Sequence, residues 1–160
     1  MADIKQKFGT STAVTITLAS LASSATGGRE STAIDNTTNL YLDALVYCQI
    51  KLQAGSPGSD LSIYVYGYSS EDGTNYQDPV TGSDAAITLK DPTNLRIIGV
   101  IPTPDSGGLT YKAVFQVAHA FGGQMPRKWG IVVRNYTNVT LSATGGDHVI
   151  SYTGIHLQSV

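Results

Sequence analysis

The sequence predicts an all-β fold, a single-domain antiparallel β-sandwich that is jelly-roll-like, with about eight to nine strands and an N-terminal arm. Three observations lead to this prediction. Apolar residues recur at every second position in several segments, as in strands with one buried face. Glycine and proline lie between these segments, and no segment has a convincing helical period. Short alternating strands joined by regular turns are typical of sandwiches and barrels.

The clearest strand lies in the first third of the chain, where every even position between residues 40 and 52 is apolar. Cys48 lies on this face, and we expect a small buried hydrophobic residue there rather than a reactive thiol. Residues 95–101 are apolar on both faces apart from Arg96, which predicts a strand covered on both sides. In total the alternation predicts nine strands, at residues 12–18, 40–52, 61–68, 85–89, 95–101, 109–121, 129–134, 139–141 and 149–157.

Two segments near the N-terminus lack this regularity. Residues 1–9 are polar, with Ile4 and Phe8 as apolar points, and we interpret them as an arm that orders on a neighbouring subunit. The alternative is a frayed terminus. Residues 10–160 then form the single domain. Within it, residues 19–39 are too many for a simple loop and either follow the strands or contact a partner.

Low charge is the main compositional constraint on function. Charged residues make up 14% of the 160 residues, against about 25% in an ordinary soluble domain, which suggests the neutral surface of a subunit in an assembly. The net charge of −2 provides no basic field for direct nucleic-acid binding. No apolar run is long enough to span a membrane, and the N-terminus lacks the apolar run of a signal peptide. We therefore expect synthesis in a cytoplasm.

The sequence contains no recognisable motif for catalysis, for a cofactor or for a metal ion. His119, His148 and His156 lie outside any metal-binding or nucleophile motif. A single cysteine excludes a disulfide within the chain. We therefore expect a protein that is not an enzyme and that holds no cofactor.

One loop, at residues 69–79, concentrates oxygen-bearing side chains: Glu71, Asp72, Asn75 and Asp78. We interpret it as a wide hairpin connection that turns at Asp72 and Gly73. Calcium binding by this loop and a sugar contact through Tyr68 and Tyr76 are the alternatives.

Tyrosine accounts for nine of the aromatic residues, beside three phenylalanines and one tryptophan. Three tyrosines alternate along the predicted strand at residues 61–68, on the face opposite its aliphatic residues. Such a row fits either a second packed layer or a partner interface. The predicted partner-interface residues are therefore Ile4, Phe8, Tyr64, Tyr66, Tyr68 and Tyr76.

Five blocks of sequence, spread over most of the chain, carry a family resemblance. In chain order they are GGRESTAIDNTTNLYLDALV, YGYSSEDGTNY, DAAITL, PTNLRIIGVI and AFGGQMPRKWGIVVRNYTN. From about residue 14 to the C-terminus, this order of blocks resembles small virion proteins encoded among the structural genes of tailed bacteriophages. The resemblance implies a non-enzymatic building block on the capsid surface. Decoration or cement proteins of such phages are often β-sandwiches that form trimers at capsid symmetry axes.

Composition and resemblance together predict a capsid decoration (cement) protein that bridges neighbouring capsomers and stabilises the head. Its expected partners are the major capsid protein or other virion proteins, and copies of itself, with a trimer favoured. A head–tail connector, tail or fibre subunit is the first alternative. A carbohydrate-binding adhesion module is the second. The expected location is the virion.

Overall fold

A computed structural model describes residues 3–58, 61–104 and 108–160. These residues form two antiparallel sheets that pack face to face, which confirms the predicted all-β sandwich. The jelly-roll-like arrangement stays a prediction. The described residues contain eleven strands: β1 (Ile4–Phe8), β2 (Thr12–Ala13), β3 (Gly27–Glu30), β4 (Ile34–Asp35), β5 (Asp43–Lys51), β6 (Ser62–Ser70), β7 (Ala85–Thr88), β8 (Arg96–Pro102), β9 (Thr110–Gln116), β10 (Lys128–Tyr136) and β11 (Val149–Ser159).

Among the described residues, the two sheets have five and six strands and differ in strand order. Sheet 1 has the order β1-β11-β5-β9, with β2 also paired to β11. Sheet 2 has the order β7-β3-β10-β6-β8, with β4 also paired to β10. Two short 3-10 helices, Ala118–Phe121 and Gly145–Asp147, complete the regular structure of the described residues, and neither is long enough to span a membrane.

The core lies between the two sheets. The even residues of β5, Ala44, Val46, Cys48 and Ile50, are fully buried, which confirms the strongest alternation in the sequence. Burial raises the pKa of the Cys48 thiol to about 12, so the residue is protonated at neutral pH and packs as the expected small hydrophobic group. Trp129 crosses from sheet 2 to meet Tyr152 of sheet 1, with ring centroids 5.4 Å apart in an edge-to-face contact.

A second apolar layer covers the outer face of sheet 2. Tyr66, Tyr68 and Val132 of that face are buried beneath a segment that follows β6. The covering residues include Val80, Leu89 and Leu95. Glu30, fully buried, fastens this cover because its carboxylate accepts hydrogen bonds from the N–H groups of Thr81 and Gly82 and from the Thr81 hydroxyl. Sheet 2 is therefore packed on both faces over much of its area.

Several predicted strand boundaries are corrected by the structure. Residues 118–121, predicted as strand, form a 3-10 helix that ends at Gly122 in the left-handed conformation. Residues 139–141 contribute only the isolated bridge of Leu141 to Leu52. β8 lies at an edge of sheet 2 with Ile97 and Val100 partly exposed, so it is not covered on both faces. Residues 19–39 contain β3 and β4, which pair with β10, in agreement with the prediction that this segment follows the strands.

Candidate interaction surface

β1 and the end of β11 form a two-stranded ribbon that extends past the rest of sheet 1. Their register pairs Ile4 with Ser159 and Phe8 with Ile155. Asp43, the first residue of β5, also pairs with Ile155. Among the described residues, the last four residues of β11 therefore have β1 as their only strand neighbour. The ribbon projects from the sandwich as an extension with little support from the core.

The predicted N-terminal arm is thus an edge strand in the part that the structure describes, from Asp3 onward, while Met1 and Ala2 lie outside the described residues. All five residues of β1 are exposed. Because neither face of β1 is buried, the strand lacks the continuous row of apolar side chains that marks a core strand. Main-chain pairing to β11 holds it instead. Whether it also orders on a neighbouring subunit stays a prediction.

The two faces of this ribbon differ in chemistry. Register and pleat place Ile4, Gln6 and Phe8 of β1 on one face together with Ile155, Leu157 and Ser159 of β11, so this face is mainly apolar. Ile4 is 71% exposed, Phe8 55% and Leu157 57%. The other face carries Lys5, Lys7, His156 and Gln158. An amphipathic ribbon with its apolar face in solvent is the kind of surface that a protein partner covers.

The outer edge of β1 also presents backbone groups. Asp3 and Val160 exchange both N–H···O hydrogen bonds, at 3.2 and 2.9 Å. Because such pairs alternate along an antiparallel ladder, the N–H and C=O groups of Ile4, Gln6 and Phe8 point away from β11. No strand of the described residues pairs with this edge. It is open to an added strand from another chain.

Further exposed apolar side chains lie at the base of the ribbon and, farther from it, on the outer face of sheet 1. Leu40 and Leu42, predicted to continue the buried face of the strand at 40–52, are instead 69% and 54% exposed. They precede β5, and the Leu42 N–H donates to the Ile155 carbonyl at 2.8 Å. Val149 on β11 and Val114 on β9 are 42% and 60% exposed. The alternation through Ile155 and Leu157 was the only sequence signal for the C-terminal part of this surface.

Two tyrosines of the row on β6, Tyr66 and Tyr68, lie in a second packed layer, which corrects the interface prediction for these two residues. Tyr68 is fully buried and its hydroxyl donates to the Ser31 carbonyl at 2.6 Å. This burial raises the pKa of Tyr68. Tyr66 is also buried, while Tyr64 and Tyr76 are half-buried against the same layer. Tyr66 and Tyr68 are therefore unavailable to a partner. Ile4 and Phe8 lie on the surface, and the interface role of the half-buried Tyr64 and Tyr76 stays a prediction.

The acidic loop at residues 71–78 is held by hydrogen bonds between its own side chains and backbone. The flanking strands do not pair with each other, since β6 pairs with β8 and β10 and β7 with β3, so the hairpin interpretation is wrong. Asp72 accepts hydrogen bonds from the N–H groups of Asn75 and Thr74 and from the Asn75 side chain, which lower its pKa. Asp78 pairs with Lys90 at 2.7 Å. In the described ranges, no three His, Cys, Asp or Glu side chains converge as metal ligands.

The three histidines are dispersed over the fold. His119 lies in the first 3-10 helix. The ring of His148 lies 3.0 Å from the Ser142 carbonyl. The ring centroid of His156 lies 5.8 Å from that of Tyr41, at the base of the ribbon. The three therefore do not form one site.

Comparison with known proteins gives no assignment. The chain matches no protein-family model, and it has no significant match among curated protein sequences. Function is therefore inferred from the surface described above and from the sequence resemblance.

Proposed function

We propose that this chain is a non-enzymatic structural protein of a bacteriophage virion, a capsid decoration (cement) protein that attaches through the ribbon of β1 and β11. One observation supports this most directly. The ribbon exposes Ile4, Phe8 and Leu157 together with an open strand edge, and these side chains are not part of either apolar cluster of the described residues.

The energetics of such a surface fit attachment to a repeating lattice. Burying one large apolar side chain contributes roughly 1.5–3 kcal/mol, and main-chain pairing along an open edge adds directional contacts. A single ribbon of this size gives a weak contact once the cost of association is subtracted. A homotrimer, which the resemblance favours, engages three such contacts at once and gains through effective concentration. A subunit that binds only the assembled shell stabilises that shell by linkage.

The alternative virion roles, a head–tail connector, tail or fibre subunit, use the same kind of surface and differ in copy number and position. The carbohydrate-binding alternative has less support. Its proposed aromatic contact paired Tyr68 with Tyr76, and Tyr68 is buried in the second layer with Tyr76 packed edge-on at 5.7 Å.

The proposed location predicts the copy number. Heads and tails separated from purified virions are analysed by quantitative mass spectrometry against the major capsid protein. We expect hundreds of copies on each head and none on tails, because a cement protein occupies symmetry-related sites over the shell. A few copies per particle, or recovery with tails alone, would contradict the decoration role and favour the connector or fibre role.

The proposed attachment surface predicts a second result. Phe8→Ala is expected to weaken binding of the purified protein to capsids that lack it by about 10- to 150-fold for each attachment point, from the transfer free energy of one Phe side chain. Removal of residues 2–9 should have at least this effect. Unfolding of the free protein should be nearly unchanged, because β1 is exposed throughout. Binding is measured by co-sedimentation, and the oligomeric mass by light scattering against 16.9 kDa for one chain.

Two sets of variants separate the contributions. Lys5→Ala and Lys7→Ala should change binding little, because exposed charges contribute little. Gln6→Pro removes an N–H that points away from β11 and should weaken binding only if the partner adds a strand to this edge. If the truncated protein binds capsids and assembles as well as the full chain, residues 2–9 are only a frayed terminus and the proposed attachment surface is wrong.

A further inference from the structure

A second surface feature lies on sheet 2, around Arg134. This residue is directly opposite Tyr64 in the pairing of β10 with β6. Its guanidinium carbon lies 5.1 Å from the ring centroid of Tyr64 and 4.7 Å from that of Tyr136. Two aromatic rings therefore fix the guanidinium by cation–π contact. Such support holds the hydrogen-bonding fork of an arginine in one orientation before any ligand arrives.

Among the described residues, Arg134 forms no ion pair. The ion pairs of the described residues join Arg29 to Asp84, Lys51 to Asp147 and Lys90 to Asp78. The Nε atom of Arg134 is buried and has no hydrogen-bond partner among the described residues. A buried N–H group without an acceptor is costly.

A hollow of about 320 Å³ adjoins the arginine. Its polar lining includes Thr26, Thr93 and Tyr136, whose hydroxyls can donate hydrogen bonds. Lys90 also lines it, and its pair with Asp78 is exposed on both sides, at 58% and 70%. Exposed pairs are weak, so Lys90 is free to exchange this partner for an anion in the hollow.

We propose that this hollow binds a carboxylate group, held by the guanidinium of Arg134. A planar guanidinium matches the two oxygens of a carboxylate in a bidentate pair. Asp91 also borders the hollow, and its negative charge disfavours a doubly charged anion such as phosphate. The hollow is large enough to admit an Asp or Glu side chain or a small free acid. The proposal is independent of the virion role and of the ribbon.

The test is a titration of the isotope-labelled protein followed by NMR at constant ionic strength, set with sodium chloride. The probes are sodium acetate, the peptide acetyl-Gly-Glu-Gly-amide, its Gln counterpart and inorganic phosphate. We expect acetate and the Glu peptide to shift the Nε–H signal of Arg134 and the amides of Thr26 and Thr93, with dissociation constants of about 1–10 mM. Tighter binding of the peptide would indicate a carboxylate carried by a polypeptide. Equal binding would indicate a free acid.

Variants make the assignment specific. Arg134→Lys keeps the charge but loses the fork, and it should weaken acetate and Glu-peptide binding by about tenfold or more, read from the amides of Thr26 and Thr93. Arg134→Gln should abolish binding, with circular dichroism to confirm the fold. Arg96→Lys, on the exposed edge strand β8, is the matched control and should bind as the parent does. The proposal is overturned if the Gln peptide binds equally, if phosphate binds best, if Arg134→Lys binds as the parent does, or if no signal shifts.

Discussion

Replacement of Trp129 by alanine is expected to lower the free energy of unfolding by about 3–5 kcal/mol, the cost typical of removing a buried aromatic side chain. Trp129 is fully buried, with 0% of its surface accessible to solvent. Its edge-to-face contact with Tyr152 joins the two sheets. Loss of the indole leaves a cavity at the centre of the sandwich that the flanking strands cannot close without breaking their pairing. For a domain stable by about 5–15 kcal/mol, this is a large share.

Urea unfolding followed by far-UV circular dichroism measures this loss, since Trp129 is the sole tryptophan and its removal abolishes the fluorescence probe. Trp129→Phe should cost less, roughly 1–2 kcal/mol, because it keeps a ring and removes an indole N–H that has no hydrogen-bond partner in the described residues. Val114→Ala, at a side chain 60% exposed, is the control and should lie within about 0.5 kcal/mol of the parent. A loss below about 1 kcal/mol for Trp129→Ala would show that the core repacks around the site.

Glu30→Ala is expected to cost about 3 kcal/mol and to release the second layer from sheet 2. The side chain is fully buried. One carboxylate oxygen accepts from the N–H groups of Thr81 and Gly82 at 2.8 and 3.0 Å, and the other accepts from the Thr81 hydroxyl at 2.9 Å. Hydrogen bonds to a charged group contribute more than neutral ones, and unsatisfied donors remain when the acceptor is removed.

Glu30→Gln is a matched control. Its amide oxygen can accept from both N–H groups, while its NH₂ donates to the Thr81 hydroxyl, which also acts as an acceptor. We therefore expect a loss of less than about 1.5 kcal/mol, for the charge alone. Hydrogen exchange at Thr81 and Gly82 gives the local readout. Fast exchange in Glu30→Ala with slow exchange in Glu30→Gln is the expected pair of results, and retained protection in the alanine variant would mean that the apolar contacts alone hold the cover.

How far the sequence predicts the fold depends on how each strand is buried. β5 is predictable because one face is fully buried and the other is half-exposed, so selection for burial acts on every second residue. β6 is buried on both faces over much of its length. Its tyrosine face looks exposed in the sequence because the residues that cover it, such as Val80 and Leu95, lie elsewhere in the chain. Local periodicity carries no information about such a cover.

The ribbon of β1 and β11 is the opposite case, because burial gives the sequence of β1 no pattern to show. β1 has no buried residue, so composition gives no strand signal, and only its pairing with β11 defines it. Ile4 and Phe8 were nonetheless identified as surface anchors, because isolated apolar residues in a polar segment stand out. The error at residues 118–121 has a different cause. A glycine pair after an alternating segment is typical of the end of a strand, whereas Gly122 is here the left-handed residue that ends a helical turn.

The lysines of β1 also determine how the protein behaves when many copies accumulate. Two copies of β1 that pair antiparallel about Gln6 would set Lys5 of each copy directly opposite Lys7 of the other. Like charges in facing positions destabilise a sheet, and edge lysines are a common protection against edge-to-edge association. The same register would otherwise match Ile4 with Phe8 and favour a two-fold dimer through this edge. Lys5 and Lys7 thus disfavour pairing of this edge with its own copy, while they leave the edge open to a strand of different sequence.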